Sequence, residues 1–114
     1  MVNNTEQGRQ AVYSSITSIA LKPDQLDEAA RAWQRLHGAG SAPEGLRSAH
    51  FLVDRATGQV VIVALWDGEG QARAFEQSGQ VQEVHEALRP FMTAGVGAAD
   101  RRVYEVLASM GQGG

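Results

Sequence analysis

The chain has 114 residues and a mass of 12.2 kDa, which suits one domain with one core. Hydrophobic residues make up 43% and charged residues 20%, an ordinary globular balance. Thirteen acids against ten bases give a formal charge of −3, which argues against a dedicated nucleic-acid binder, and there is no cysteine, so a disulfide scaffold, a thiolate metal centre and a cysteine nucleophile are excluded.

The polar start, residues 1–10, lacks the apolar segment of a signal peptide, and no apolar run reaches bilayer length. The expectation is a soluble cytoplasmic domain over residues 11–107, between a flexible N-terminus and a flexible tail, Ala108–Gly114. A first strand is predicted over Val12–Leu21, with apolar groups on both parities. Lys22-Pro23-Asp24 stops it, because Pro23 cannot donate to a ladder, and Asp24 is placed to cap the next helix. That helix is predicted over Gln25–His37, with Leu26, Ala29, Ala30, Trp33 and Leu36 on one face. Two strands follow as a hairpin, Leu46–Asp54 and Gln59–Trp66, around the turn Arg55-Ala56-Thr57-Gly58. The run VVIVALW is apolar on both parities, the mark of a strand covered on both sides. Helix resumes near Glu69, is interrupted at Ser78-Gly79, and continues over Val81–Met92 with Pro90 near its end. A last strand is predicted over Arg102–Leu107.

The order β-α-β-β-α-β predicts an α+β, ferredoxin-like antiparallel sheet, strand order 4-1-3-2, with helices on one face. Strands apolar on both parities cannot leave the other face in water. The reading is therefore a homodimer whose sheets pack face to face into an α/β barrel.

The segment from Glu44 to Phe91 resembles the antibiotic-biosynthesis monooxygenases, a family of dimeric α/β barrels. The carriers are Gly45 before the second strand, Trp66 at the end of the third, then Asp67-Gly68-Glu69 and Ala72. The resemblance covers roughly Val12–Leu107. It implies cofactor-free oxygenation of a small electron-rich aromatic (a phenol, anthrone or quinol) in a pocket between sheet and helices; the acidic balance and the lack of a bilayer-length apolar run point away from nucleic acid or membrane as partner. In that branch a tryptophan forms an aromatic wall, here Trp66. An asparagine four residues earlier holds the substrate oxygen, and here that position is Ile62. A haem-degrading branch places a histidine nineteen residues after the tryptophan, which is His85, with Ser78 and Val81 fitting its pattern. Its helix tryptophan falls on Phe75, and its strand-one asparagine has no counterpart in Ser15-Ile16-Thr17. The alternatives are a non-catalytic barrel that binds a small apolar ligand, and a haem degrader.

Among polar residues, His85 borders the apolar face of its helix. His50 alternates with Leu46, Ser48 and Leu52 and belongs at a pocket rim or a dimer seam. Either imidazole suits a general base near neutral pH. Tyr13, Ser15, Thr17 and Tyr104 are strand residues able to line a pocket, with Ile62 and Phe75. His37 reads as a C-terminal helix cap, and Arg101-Arg102 is too short a run for nucleic acid. The three histidines show no metal-ligand spacing.

Overall fold

The computed structural model describes residues 12–38, 42–93 and 100–111. The elements run β1 (Tyr13–Ala20), α1 (Leu26–Gly38), β2 (Leu46–Asp54), β3 (Gln59–Trp66), α2 (Glu69–Gln77), α3 (Gly79–Leu88) and β4 (Asp100–Glu105). Short 3₁₀ turns at Pro23–Gln25 and Arg89–Phe91 precede α1 and follow α3. The sheet order is β2-β3-β1-β4, and every pairing is antiparallel. This is the expected ferredoxin-like order. Both hairpin strands have their predicted bounds.

Three local expectations are corrected. Asp24 lies inside the 3₁₀ turn, whose N-cap is Lys22, and no side chain caps it. Pro23 sets that turn, since its fixed φ suits a tight helical start. The interruption expected at Ser78 is present, but the helix after it runs Gly79–Leu88 and not Val81–Met92. Ser78 takes an extended conformation at the break, its Oγ accepting from the Gln80 N–H at 3.2 Å and donating to the Phe75 carbonyl at 2.7 Å. One serine thus closes α2 and opens α3. The last strand begins at Asp100, two residues earlier than expected, and ends at Glu105. Residues 94–99, which precede it, and the expected flexible N-terminus, residues 1–10, lie outside the described residues.

Strand register divides the sheet into two faces. On the helix-covered face, Val60 and Ile19 stand opposite one another, as do Ile62 and Thr17, Ala64 and Ser15, and Trp66 and Tyr13. Arg101, Val103 and Glu105 extend these rows onto β4, and Phe51 and Ala49 extend them onto β2. A bulge between Leu46 and Ser48 adds one residue. Leu46 therefore sits on the helix side, while Ser48, His50 and Leu52 share the other. Arg47, at the bulge, pairs with Asp67 at 2.8 Å.

The opposite face is open in the single chain. Its centre is apolar, formed by Ile16, Val61, Val63, Leu65 and Leu52, with Leu52 50% exposed and Tyr104 48% exposed.

The helix side holds two separate apolar clusters. One is Ile19, Leu21, Leu26, Ala29, Trp33, Val60 and Leu88. The other is Ala64, Trp66 and Ala72, with Phe75 and Leu46 packed on it. Trp66 is 1% exposed, and its indole N–H donates to the Ser15 hydroxyl at 3.0 Å. That bond satisfies the one polar atom of a fully buried ring.

Gly58 ends the hairpin turn with φ +83. A Cβ there would collide with the Leu21 carbonyl and crowd Pro23 at 3.1 Å. The carbonyl of the same glycine accepts from the Leu21 N–H at 2.8 Å, so the turn and the end of β1 are locked together. Gly70, in α2, has nothing within 4 Å of a built Cβ. Gly58→Ala is expected to lower unfolding free energy by about 1–3 kcal/mol. Gly70→Ala is expected to raise it by about 0.5 kcal/mol. Urea melts of the two variants check both signs.

Candidate functional site

Between the two apolar clusters lies a cavity of about 200 Å³. Its floor is the middle of the helix-side face, Ser15, Thr17, Ile62 and Ala64. Three of these four side chains are small, so the sheet does not rise to meet the helices there. Trp66 and Leu46 bound one end. Val81, Val84, His85 and Leu88 of α3 form one wall at i, i+3, i+4 and i+7, the stripe a helix presents to one neighbour. Trp33 and His37 of α1, Phe75 of α2 and Arg101 of β4 complete the lining.

The aromatic groups are arranged in two sets. Trp66 and Phe75 meet at 5.3 Å between ring centres, tilted by 41°. Trp33 packs on Phe51 at 5.6 Å, and His37 meets its ring edge-on at 4.8 Å. Both tryptophans of the chain thus line one cavity. Burial pushes the His37 imidazole below its ordinary pKa, so it is neutral at pH 7. Arg101 supplies a positive charge. Its side chain is 12% exposed and lies 3.1 Å from a Glu76 carboxylate oxygen. Its guanidinium is 5.7 Å from the centre of the Phe75 ring.

Of the site residues read from sequence, the structure brings Ser15, Thr17, Ile62, Trp66, Phe75 and His85 to this cavity. The other three stand elsewhere. His50 is exposed on the open face, on the far side of the sheet from the cavity. The bulge accounts for this, because it puts Leu46 and His50 on opposite faces. Tyr104 is on that open face too, opposite Ser14. Tyr13 is on the helix side but beyond the cavity, at the Trp66 end of the sheet. There partial burial, and then the neighbouring Glu69 and Glu105 carboxylates, raise its phenol pKa.

The sequence reading missed His37, Trp33 and Arg101 as lining residues. His37 lies in the last turn of α1, and its ring also reaches the cavity. Arg101 fell outside the predicted strand. Once β4 starts at Asp100, strand parity separates Arg101 from Arg102: the first faces the cavity, the second the open face. An earlier strand start was the missing signal.

Haem does not suit these residues. His85 faces the cavity, but about 200 Å³ is below the ~300–1,000 Å³ of ordinary cofactor and drug sites, and Phe75 closes on Trp66 across one end. No chemical step is therefore assigned to it. Among the described residues no group of three His, Asp or Glu is placed to hold a metal ion. No helix among them is long and apolar enough to cross a membrane.

Comparison with solved structures gives the same fold. A Bordetella bronchiseptica protein bearing the name antibiotic biosynthesis monooxygenase aligns at TM-score 0.69 and 14% identity, over 87% of this chain and 100% of that one. Rv0793 from Mycobacterium tuberculosis aligns at TM-score 0.65 and 13% identity, over 89% and 100%. SnoaB, a cofactor-independent oxygenase from Streptomyces nogalater, aligns at TM-score 0.61 and 12% identity, over 88% and 97%. At these identities the likeness establishes architecture alone. No curated protein matches the chain in sequence. Residues 12–87, well over half the chain, match the sequence profile described as antibiotic biosynthesis monooxygenase. The chain belongs to the antibiotic biosynthesis monooxygenase family.

Proposed function

We propose that this protein is a cofactor-independent monooxygenase acting on a small electron-rich aromatic, a phenol, anthrone or quinol, held in the cavity between sheet and helices. The observation that carries this reading is one apolar cavity walled by two indoles and two imidazoles. An aromatic phenol needs a base to become an electron donor. The phenolate passes one electron to dioxygen, and the resulting radical pair joins to form a carbon–oxygen bond. The peroxide takes a proton, and loss of water with the ring hydrogen leaves a quinone. One substrate and one O₂ thus give one quinone and one water, with no outside reductant.

The protein's part is to orient the ring, exclude water and move protons. His85 is assigned as the base, since it stands in the middle of the α3 lining stripe. Trp66 is assigned as wall; its N–H is occupied by Ser15. A second reading, a barrel that binds without turnover, is favoured by Ile62, because its place in the floor offers no polar atom to the substrate oxygen. The reading includes a homodimer formed through the open sheet face. The apolar centre at Ile16, Val61, Val63 and Leu65 supports this, and a second copy would cover it.

Oxygen uptake with anthrones and hydroquinones, in chelator and without flavin or metal, should exceed autoxidation at the same pH. His85→Gln should lower the enzymatic rate by ~10²–10⁴-fold. Trp66→Phe should act mainly on KM, and His50→Gln, on the far face, should match wild type. Uptake equal to the autoxidation blank across the panel would leave the binding reading standing. Light scattering at micromolar concentration should return twice the 12.2 kDa chain mass; a stable monomer would refute the dimer. Haemin titration should give no saturable Soret shift that His85→Ala abolishes. A tight one-to-one complex lost in that variant would restore the haem reading.

A further inference from the structure

Arg101 is the strongest charge on the cavity wall, and its donors are underused. A guanidinium stays charged at any pH the protein meets, and offers five N–H donors in a planar fork. Here Nη2 donates to the Ala72 carbonyl at 3.4 Å, near the limit of a hydrogen bond. Nη1 lies 3.1 Å from a Glu76 carboxylate oxygen, yet the two are not aligned, and Nη1 is buried without a hydrogen-bond partner. Glu76 sits on the outward part of α2, its side chain 39% exposed. On the cavity side the guanidinium meets apolar groups and the Phe75 ring. A buried donor left unpaired is costly, and a ligand acceptor placed there recovers that cost.

The floor points the same way. Thr17 lies directly opposite Arg101 across β1 and β4, and both line the cavity. The fork of an arginine matches the two oxygens of one carboxylate. The rest of the lining, with Trp66, Ile62, Val84 and Leu88, accepts a flat apolar body. The size fits a small planar ring system: about 150 Å³ holds a benzene, and this cavity has about 200 Å³.

We infer that the cavity selects planar aromatic acids, with the ligand carboxylate seated on Arg101. This rests on the proposed aromatic site being the cavity, but not on turnover there.

Isothermal titration calorimetry with 2-naphthoate and its methyl ester tests it. Wild type should bind naphthoate saturably, at least ~10-fold tighter than the ester, as expected for one charge-assisted hydrogen-bonded pair. Arg101→Gln should abolish that preference, weakening naphthoate binding at least ~10-fold more than ester binding. Glu76→Gln, which removes the competing carboxylate, should tighten naphthoate binding. Arg101→Lys keeps the charge without the fork and should retain part of the preference; it serves if the Gln variant melts abnormally by circular dichroism. Equal affinity for acid and ester in wild type, no naphthoate binding, or equal loss of both ligands in a folded Arg101→Gln would overturn the inference. Ester binding without acid preference leaves the proposed oxygenase standing. Acid preference without oxygen uptake on any aromatic refutes the oxygenase and leaves the acid subsite.

Discussion

The structure depends on a shortfall of volume at the middle of the sheet. Ser15 and Ala64 face each other across β1 and β3 on the helix side, with Thr17 next in the row. Side chains of this size cannot reach the helices, so the core divides into one cluster around Val60 and Leu26 and another around Trp66. A Leu or Phe at any of these positions would join the two clusters and fill the cavity. Ser15 also accepts the Trp66 indole N–H, which lets a large aromatic close the end of the gap with its polar atom satisfied. One serine keeps the space open and fixes its wall.

Strand parity then sorts the polar residues by task. Ser15, Thr17 and Arg101 have their side chains under the helices, whereas His50, Arg102 and Tyr104 have theirs on the open face. Neighbours in sequence thus face different surroundings. Arg101 meets an apolar cavity and Phe75, while Arg102 pairs with Asp100 at 3.1 Å in solvent, where such pairs contribute little. The bulge before Ser48 applies the same rule to β2, sending Leu46 to the cavity and His50 away from it.

The helices bring distant segments onto this floor. α1 supplies Trp33 and His37, and α3 supplies Val81, Val84, His85 and Leu88. His37 loses solvent and is held neutral, which keeps the α1 wall uncharged beside the indole. The fixed positive charge enters from the opposite flank of the sheet, at β4. The cavity is therefore apolar through its middle, with Arg101, paired with Glu76, at its β4 flank.

The sequence by itself determined the element order, the hairpin bounds and the place of Trp66, because hydrophobic period, Pro23 and Gly58 are local signals. It also determined that both sheet faces carry apolar groups, since parity is read along one strand. His85 was legible as a lining residue because α3 has a regular apolar stripe around it. What only the tertiary structure decided was which residues share the cavity. His37, Trp33 and Arg101 come from elements far apart in the fold, and no local pattern marks them as neighbours. The register of β4 and the bulge in β2 are set by pairing with other strands. A shift of one residue exchanges the faces, so Arg101 gains the site and His50 leaves it for a reason no single strand contains.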